Sequence, residues 1–134
     1  MAIPPVRRDG TLPPGVHRAT IDEVLATYPP ATQQRQILND SLQRAVLELR
    51  ALDASLTIYV DGSYVTDTLD PGDVDLLIVT ARFSTRALVQ HLDQVCPVEA
   101  VSLDVNVEPI MPNVLFDLFT TTRTGHDKGI IEII

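Results

Sequence analysis

The chain has 134 residues, 45% of them apolar, a formal charge of −8, and Lys128 as its only lysine. That length fits one domain able to bury about two thirds of its unfolded surface, and the apolar share is too high for a disordered chain. So acidic a surface repels a bare phosphate backbone, which argues against direct DNA binding. A phosphorylated ligand would need a bound cation; a basic protein surface is the other partner the charge suits. Cys96 is the only cysteine, so no internal disulfide is expected and the residue reads as a small buried one. "MAIPPVRRDG" lacks a following apolar signal core, and no run approaches membrane-spanning length. The expectation is a soluble cytoplasmic protein with no membrane partner.

Residues 1–19 hold four prolines and two glycines and read as an irregular arm, with a single domain over 20–134. "TIDE" at 20–23 is a capping-box sequence: Thr20 as N-cap, Glu23 reaching back. It opens a short helix to about Tyr28 that Pro29-Pro30 stops. Thr32 then caps a helix over about 33–52, whose Leu38, Leu42, Ala45, Leu49 and Leu52 fall on one face. "SLTIYV" at 55–60 is β-branched and aromatic and reads as a strand, as does "DVDLLIV" at 73–79. Between them stands Gly62-Ser63, followed by a loop.

Ser84 caps a further helix to about Val95, with Leu88, Leu92 and Val95 on one face, and Pro97 closes it. "AVSLDVNVE" at 100–108 alternates, with Val101, Leu103, Val105 and Val107 on one side and Ser102, Asp104, Asn106 and Glu108 on the other. "NVLFDLF" at 113–119 is a short helix or apolar turn, and "GIIEII" at 129–134 a strand covered on both faces. The fold class expected is α/β (α+β): a mixed sheet with helices mainly on one face and acids on the other.

Strand side chains alternate, so Asp73 and Asp75 share a face about 6.5–7 Å apart. If the strand carrying Asp104 pairs beside theirs, its carboxylate comes within about 5 Å laterally. Three converging carboxylates make a hard oxygen site of the kind Mg²⁺, or Mn²⁺, prefers. Gly62 lets backbone approach a ligand, and the Ser63 hydroxyl and amides can donate to phosphate oxygens. Together these parts suit a nucleoside triphosphate held by metal and phosphates and attacked in line at its α-phosphorus. Asp104 is the candidate to complete the site or to activate an acceptor hydroxyl.

Gly62-Ser63, nine intervening residues, Asp73-Val74-Asp75 and a later strand aspartate resemble the pattern of the nucleotidyltransferase-fold superfamily. "LPPGVHRATIDEV" at 12–24, "DGSYVTDTLDPGDVDLLIV" and "GHDKGIIEII" at 125–134 further resemble a family of small bacterial nucleotidyltransferase-like proteins of unassigned function. Some of those relatives are linked to toxin–antitoxin or defence loci. The resemblance implies a nucleotidyltransferase-like fold, with Asp73, Asp75 and Asp104 as catalytic and metal-binding residues and Gly62 and Ser63 as the nucleotide-binding step. The expected activity is transfer of a nucleotidyl group from a nucleoside triphosphate to a hydroxyl on protein or RNA.

The superfamily pattern places an apolar residue before Gly-Ser and a basic one soon after. Here Asp61 precedes it, and 64–72 holds no base. That departure and the charge favour an alternative: a catalytically weak interaction module, such as the acidic partner of a toxin–antitoxin pair. "LDPGD" is also a tight-turn sequence that Asp73 alone would cap. Asp61 reads as a solvated strand-end acid, with an extra ligand as the other option. His17, His91 and His126 share no metal-ligand spacing, His91 reading as a helix-surface residue and His126 with Lys128 as a polar turn or a phosphate contact.

Overall fold

The computed structural model describes residues 3–8, 10–80, 82–95, 102–108 and 129–134. In chain order these form β1 (Gly15–Ala19), α1 (Ile21–Thr27), α2 (Gln33–Leu52), β2 (Thr57–Asp61), a 3-10 turn (Ser63–Val65), β3 (Asp73–Val79), α3 (Thr85–Val95), β4 (Ser102–Glu108) and β5 (Gly129–Ile133). The helix starts follow from their caps. Both arms of the capping box form at α1: Glu23 N donates to Thr20 Oγ1 at 3.2 Å and Thr20 N donates to Glu23 Oε1 at 3.1 Å. At α2, Arg35 N donates to Thr32 Oγ1, and at α3, Ala87 N donates to Ser84 Oγ, each at 3.1 Å.

The five strands make one mixed sheet in the order β1-β5-β2-β3-β4. β1 runs parallel to β5, β5 antiparallel to β2, β2 antiparallel to β3, and β3 parallel to β4. Ile58, Val60, Val74, Leu76, Ile78, Ile131 and Ile133 line one face, in a single core with Leu38, Leu42, Ala45 and Leu49 of α2 and Leu88 and Leu92 of α3. The expected mixed α+β architecture is present, helices packed on the apolar face. Arg50 at the end of α2 donates to the Leu56 and Ile133 carbonyls, tying the helix to β2 and β5.

Residues 15–19 depart from the irregular arm expected there. Pro13 and Pro14 end just before Gly15, leaving every β1 amide free to pair, and β5 supplies the partner edge. Close approach is possible because residue 129 is glycine: a Cβ there would stand 2.7 Å from His17 Nε2 and strike the Pro13 carbonyl. The preceding arm is docked too, with Ile3 and Leu12 buried in the core. Cys96, the 113–119 segment, His126 and Lys128 lie outside the described residues.

Candidate active site

β2 delivers Asp61 directly opposite Asp75 of β3, and Asp75 stands opposite position 104 of β4. Register partners in a pleated sheet share a face, about 4.8 Å apart. One row therefore crosses three strands with an aspartate at every position. Asp73, two residues before Asp75 on the same face, pairs with Ser102. Asp61, Asp73 and Asp75 lie at one end of the sheet, on the face away from the helical core, and the backbone of position 104 is in register with them. The backbone thus juxtaposes Asp73, Asp75 and position 104 as the spacing predicted, and adds Asp61.

Asp61 corrects the solvated strand-end reading: it is only 3% exposed, and Asp73 and Asp75 are half-buried. The reason is that the chain turns sharply back at Gly62 instead of running on into solvent. Gathering carboxylates where water is scarce is costly unless protons, donors or a cation offset the charge. Among the described residues, no group of three His, Cys, Asp or Glu is placed to hold a metal; the Asp104 side chain is not among them.

Gly62 has φ +81°, a conformation L side chains rarely adopt. A Cβ there would lie 2.9 Å from Asp75 Cγ, inside van der Waals contact. The glycine backbone is therefore seated against the Asp75 carboxylate. Ser63 begins the 3-10 turn, closed by Val65 N donating to the Gly62 carbonyl at 3.3 Å. This turn corrects the expectation of a loop starting at Tyr64: Tyr64 and Val65 are core residues, pulled in by their bulk.

The first turn and a half of α2 holds the rest of the connection. Arg35 Nη1 donates to the Tyr64 carbonyl at 2.9 Å, and Nη2 to the Thr66 and Thr68 carbonyls at 3.0 and 2.6 Å. Thr32 Oγ1 donates to the Leu69 carbonyl and Gln34 Nε2 to that of Pro71. The guanidinium lies 5.5 and 5.4 Å from the ring centres of Tyr28 and Tyr64, within cation–π range. Tyr64 hydroxyl donates to Asn39 Oδ1 at 2.5 Å, Asn39 Nδ2 to the Tyr28 carbonyl at 2.8 Å, and Tyr28 hydroxyl to the Val65 carbonyl at 3.1 Å. Burial pushes the Tyr28 hydroxyl up to about 12, with Arg35 pulling the other way. Tyr64 is raised for the same reason. Desolvation lowers Arg35, opposed by Tyr64, Tyr28 and Asp70.

Sequence reasoning missed Arg35 and Asn39, though a signal existed. They are four residues apart, and Arg35 leads into the buried stripe of Leu38 and Leu42, where polar side chains are out of place unless bonded. Of the described histidines, His17 bonds the Pro13 carbonyl through a ring nitrogen at 2.7 Å, and His91 is half-buried on α3.

Fold and site together define a small mixed α+β domain with aspartates gathered at one end of its sheet. The chain belongs to a family of unknown function, DUF6932, whose model matches residues 4–134. No curated protein and no solved structure matches it. No helix among the described residues is long and apolar enough to cross a membrane.

Proposed function

We propose that this chain is a metal-dependent nucleotidyltransferase that moves a nucleotidyl group from a nucleoside triphosphate to a hydroxyl on protein or RNA. The observation that carries the reading is the register that lines up Asp61, Asp75 and position 104, with Asp73 beside them and Gly62 against Asp75. Asp73, Asp75 and Asp104 would hold Mg²⁺ or Mn²⁺, with buried Asp61 adding negative charge behind them. When bound, the ion neutralises phosphate oxygens and favours charge build-up at the α-phosphorus. Gly62 is seated against Asp75 and so brings the turn that begins at Ser63, with its backbone amides as phosphate donors, next to the acids. Asp104, at the edge of the acid row, completes the metal site or takes the acceptor's proton as the acceptor oxygen attacks the α-phosphorus and pyrophosphate leaves.

Transfer of label from an α-labelled triphosphate in the presence of Mg²⁺ or Mn²⁺, with none from a γ-labelled one, is the expected result. Transfer of γ-label identifies a kinase-type site instead and ends this reading. Asp75→Asn is expected to lower transfer a hundredfold or more, as loss of a group stabilising transition-state charge does.

A second reading, an acidic interaction module for a basic protein partner, is favoured by Arg35. Arg35 is 6% exposed and its guanidinium is engaged with three carbonyls, so it offers little to a triphosphate. Absence of label transfer together with tight binding to a basic partner selects this second reading.

A further inference from the structure

We propose that Arg35 is a positioning residue for the acid row: it fixes the β2–β3 connection and so seats Gly62 against Asp75. The inference rests on the reading of Asp73 and Asp75 as the working acids. Burying a guanidinium is costly unless its protons are matched. Here the matching acceptors are Tyr64, Thr66 and Thr68, alternate residues of a single connection. One end of that connection is Gly62, which touches Asp75, and the other is Asp73 itself. Arg35 thus grips the one segment whose two ends form the candidate site.

The grip depends on the shape of the side chain as much as its charge. A planar fork presents separate donors to separate carbonyls and can lie along the Tyr28 and Tyr64 rings, whereas an ammonium is a point donor that does neither. Arg35→Lys therefore keeps the charge and removes the geometry. Released from three carbonyls, residues 64–68 gain freedom next to a glycine that has no side chain to hold it in place. Residues 64–72 themselves hold no basic side chain; the cation that meets them comes from the neighbouring helix and is turned toward backbone.

The test compares wild type, Arg35→Lys and Leu49→Ala, the last being a core truncation in α2 that destabilises the fold without touching the connection. Amide hydrogen exchange of residues 62–68, the carboxyl ¹³C shift of Asp75, and Mn²⁺ affinity are measured well below all three melting temperatures. Arg35→Lys is expected to speed exchange at 62–68 about tenfold or more, to move the Asp75 signal, and to weaken Mn²⁺ binding about tenfold, the effect typical of losing a residue behind the ligands. Leu49→Ala is expected to leave the Asp75 signal and the Mn²⁺ affinity at their wild-type values. A folded Arg35→Lys protein with an unmoved Asp75 signal overturns the proposal, as does an equal Mn²⁺ loss in Leu49→Ala. Wild type that binds no Mn²⁺ counts against the metal-dependent function, while the Asp75 signal still decides the role of Arg35. Should Arg35→Lys not fold, Arg35→Gln, uncharged with a two-proton donor, is read the same way.

Discussion

Gly62→Ala tests the contact at the centre of the site. Two costs are superimposed at this position. An L residue at φ +81° is strained by about 1–2 kcal/mol, partly offset by the about 0.4–1 kcal/mol that alanine removes from the unfolded chain's freedom. The new Cβ also meets Asp75, 2.9 Å from Cγ, and must push the carboxylate off its rotamer for about 0.5–1.5 kcal/mol. Gly62→Ala is therefore expected to destabilise the metal-free protein by roughly 1–3 kcal/mol. Only the second cost depends on the carboxylate. In an Asp75→Ala background it disappears, apart from a tolerable approach of 3.3 Å to the Asp75 Cβ, so the pair should couple by about 1 kcal/mol. Urea denaturation of wild type, both single variants and the double variant in EDTA measures this, provided the m-values agree. Effects that add to within about 0.3 kcal/mol would refute the close seating of Gly62 on Asp75.

Other consequences can be checked on the same protein. Mn²⁺ at a hundredfold excess over Kd should stabilise wild type by about 2.7 kcal/mol and Asp75→Asn far less; melts that metal shifts in neither protein would remove the cation site. Tyr28 titrates near 12 when folded against about 10 when unfolded, so the fold favours its neutral form. That contribution is complete below pH about 10 and is lost as pH rises toward about 12; Tyr64 acts in the same direction. Urea midpoints should thus fall through this window, and less steeply in Tyr28→Phe; parallel curves would contradict the assignment. Deleting residues 130–134 takes away the strand between β1 and β2 and three buried isoleucines, so cooperative unfolding is expected to be lost. A truncated protein melting sharply near the wild-type temperature would show that β5 is dispensable.

What the sequence revealed was mostly local. The three helices and the strands at 57–61 and 73–79 follow from caps, stops and periodicity that act within a few residues. Asp73 and Asp75 were visible for the same reason, since acids inside "DVDLLIV" conflict with their surroundings. β1 was hidden because "GVHRA" has no clean alternation and becomes a strand only through β5, more than a hundred residues away. The burial of Asp61 was hidden because it depends on a turn at Gly62 and on pairing with β3, neither of which is marked at residue 61 itself. The role of Arg35 was hidden because its acceptors, the carbonyls of Tyr64, Thr66 and Thr68, are reached only by contact across the fold.

The place of β5 in the sheet orders the events of synthesis. Of the five strands it leaves the ribosome last, yet it is the neighbour of both β1 and β2. Until it emerges, β1 lacks its partner and β2 presents a bare row of peptide donors and acceptors, an invitation to any passing extended chain. Pairing residues near 17 with residues near 131 also closes a very long loop, which is slow to form. The nascent chain is thus most exposed to misassociation in the interval between the emergence of β2 and that of β5, and dependence on chaperones should fall there.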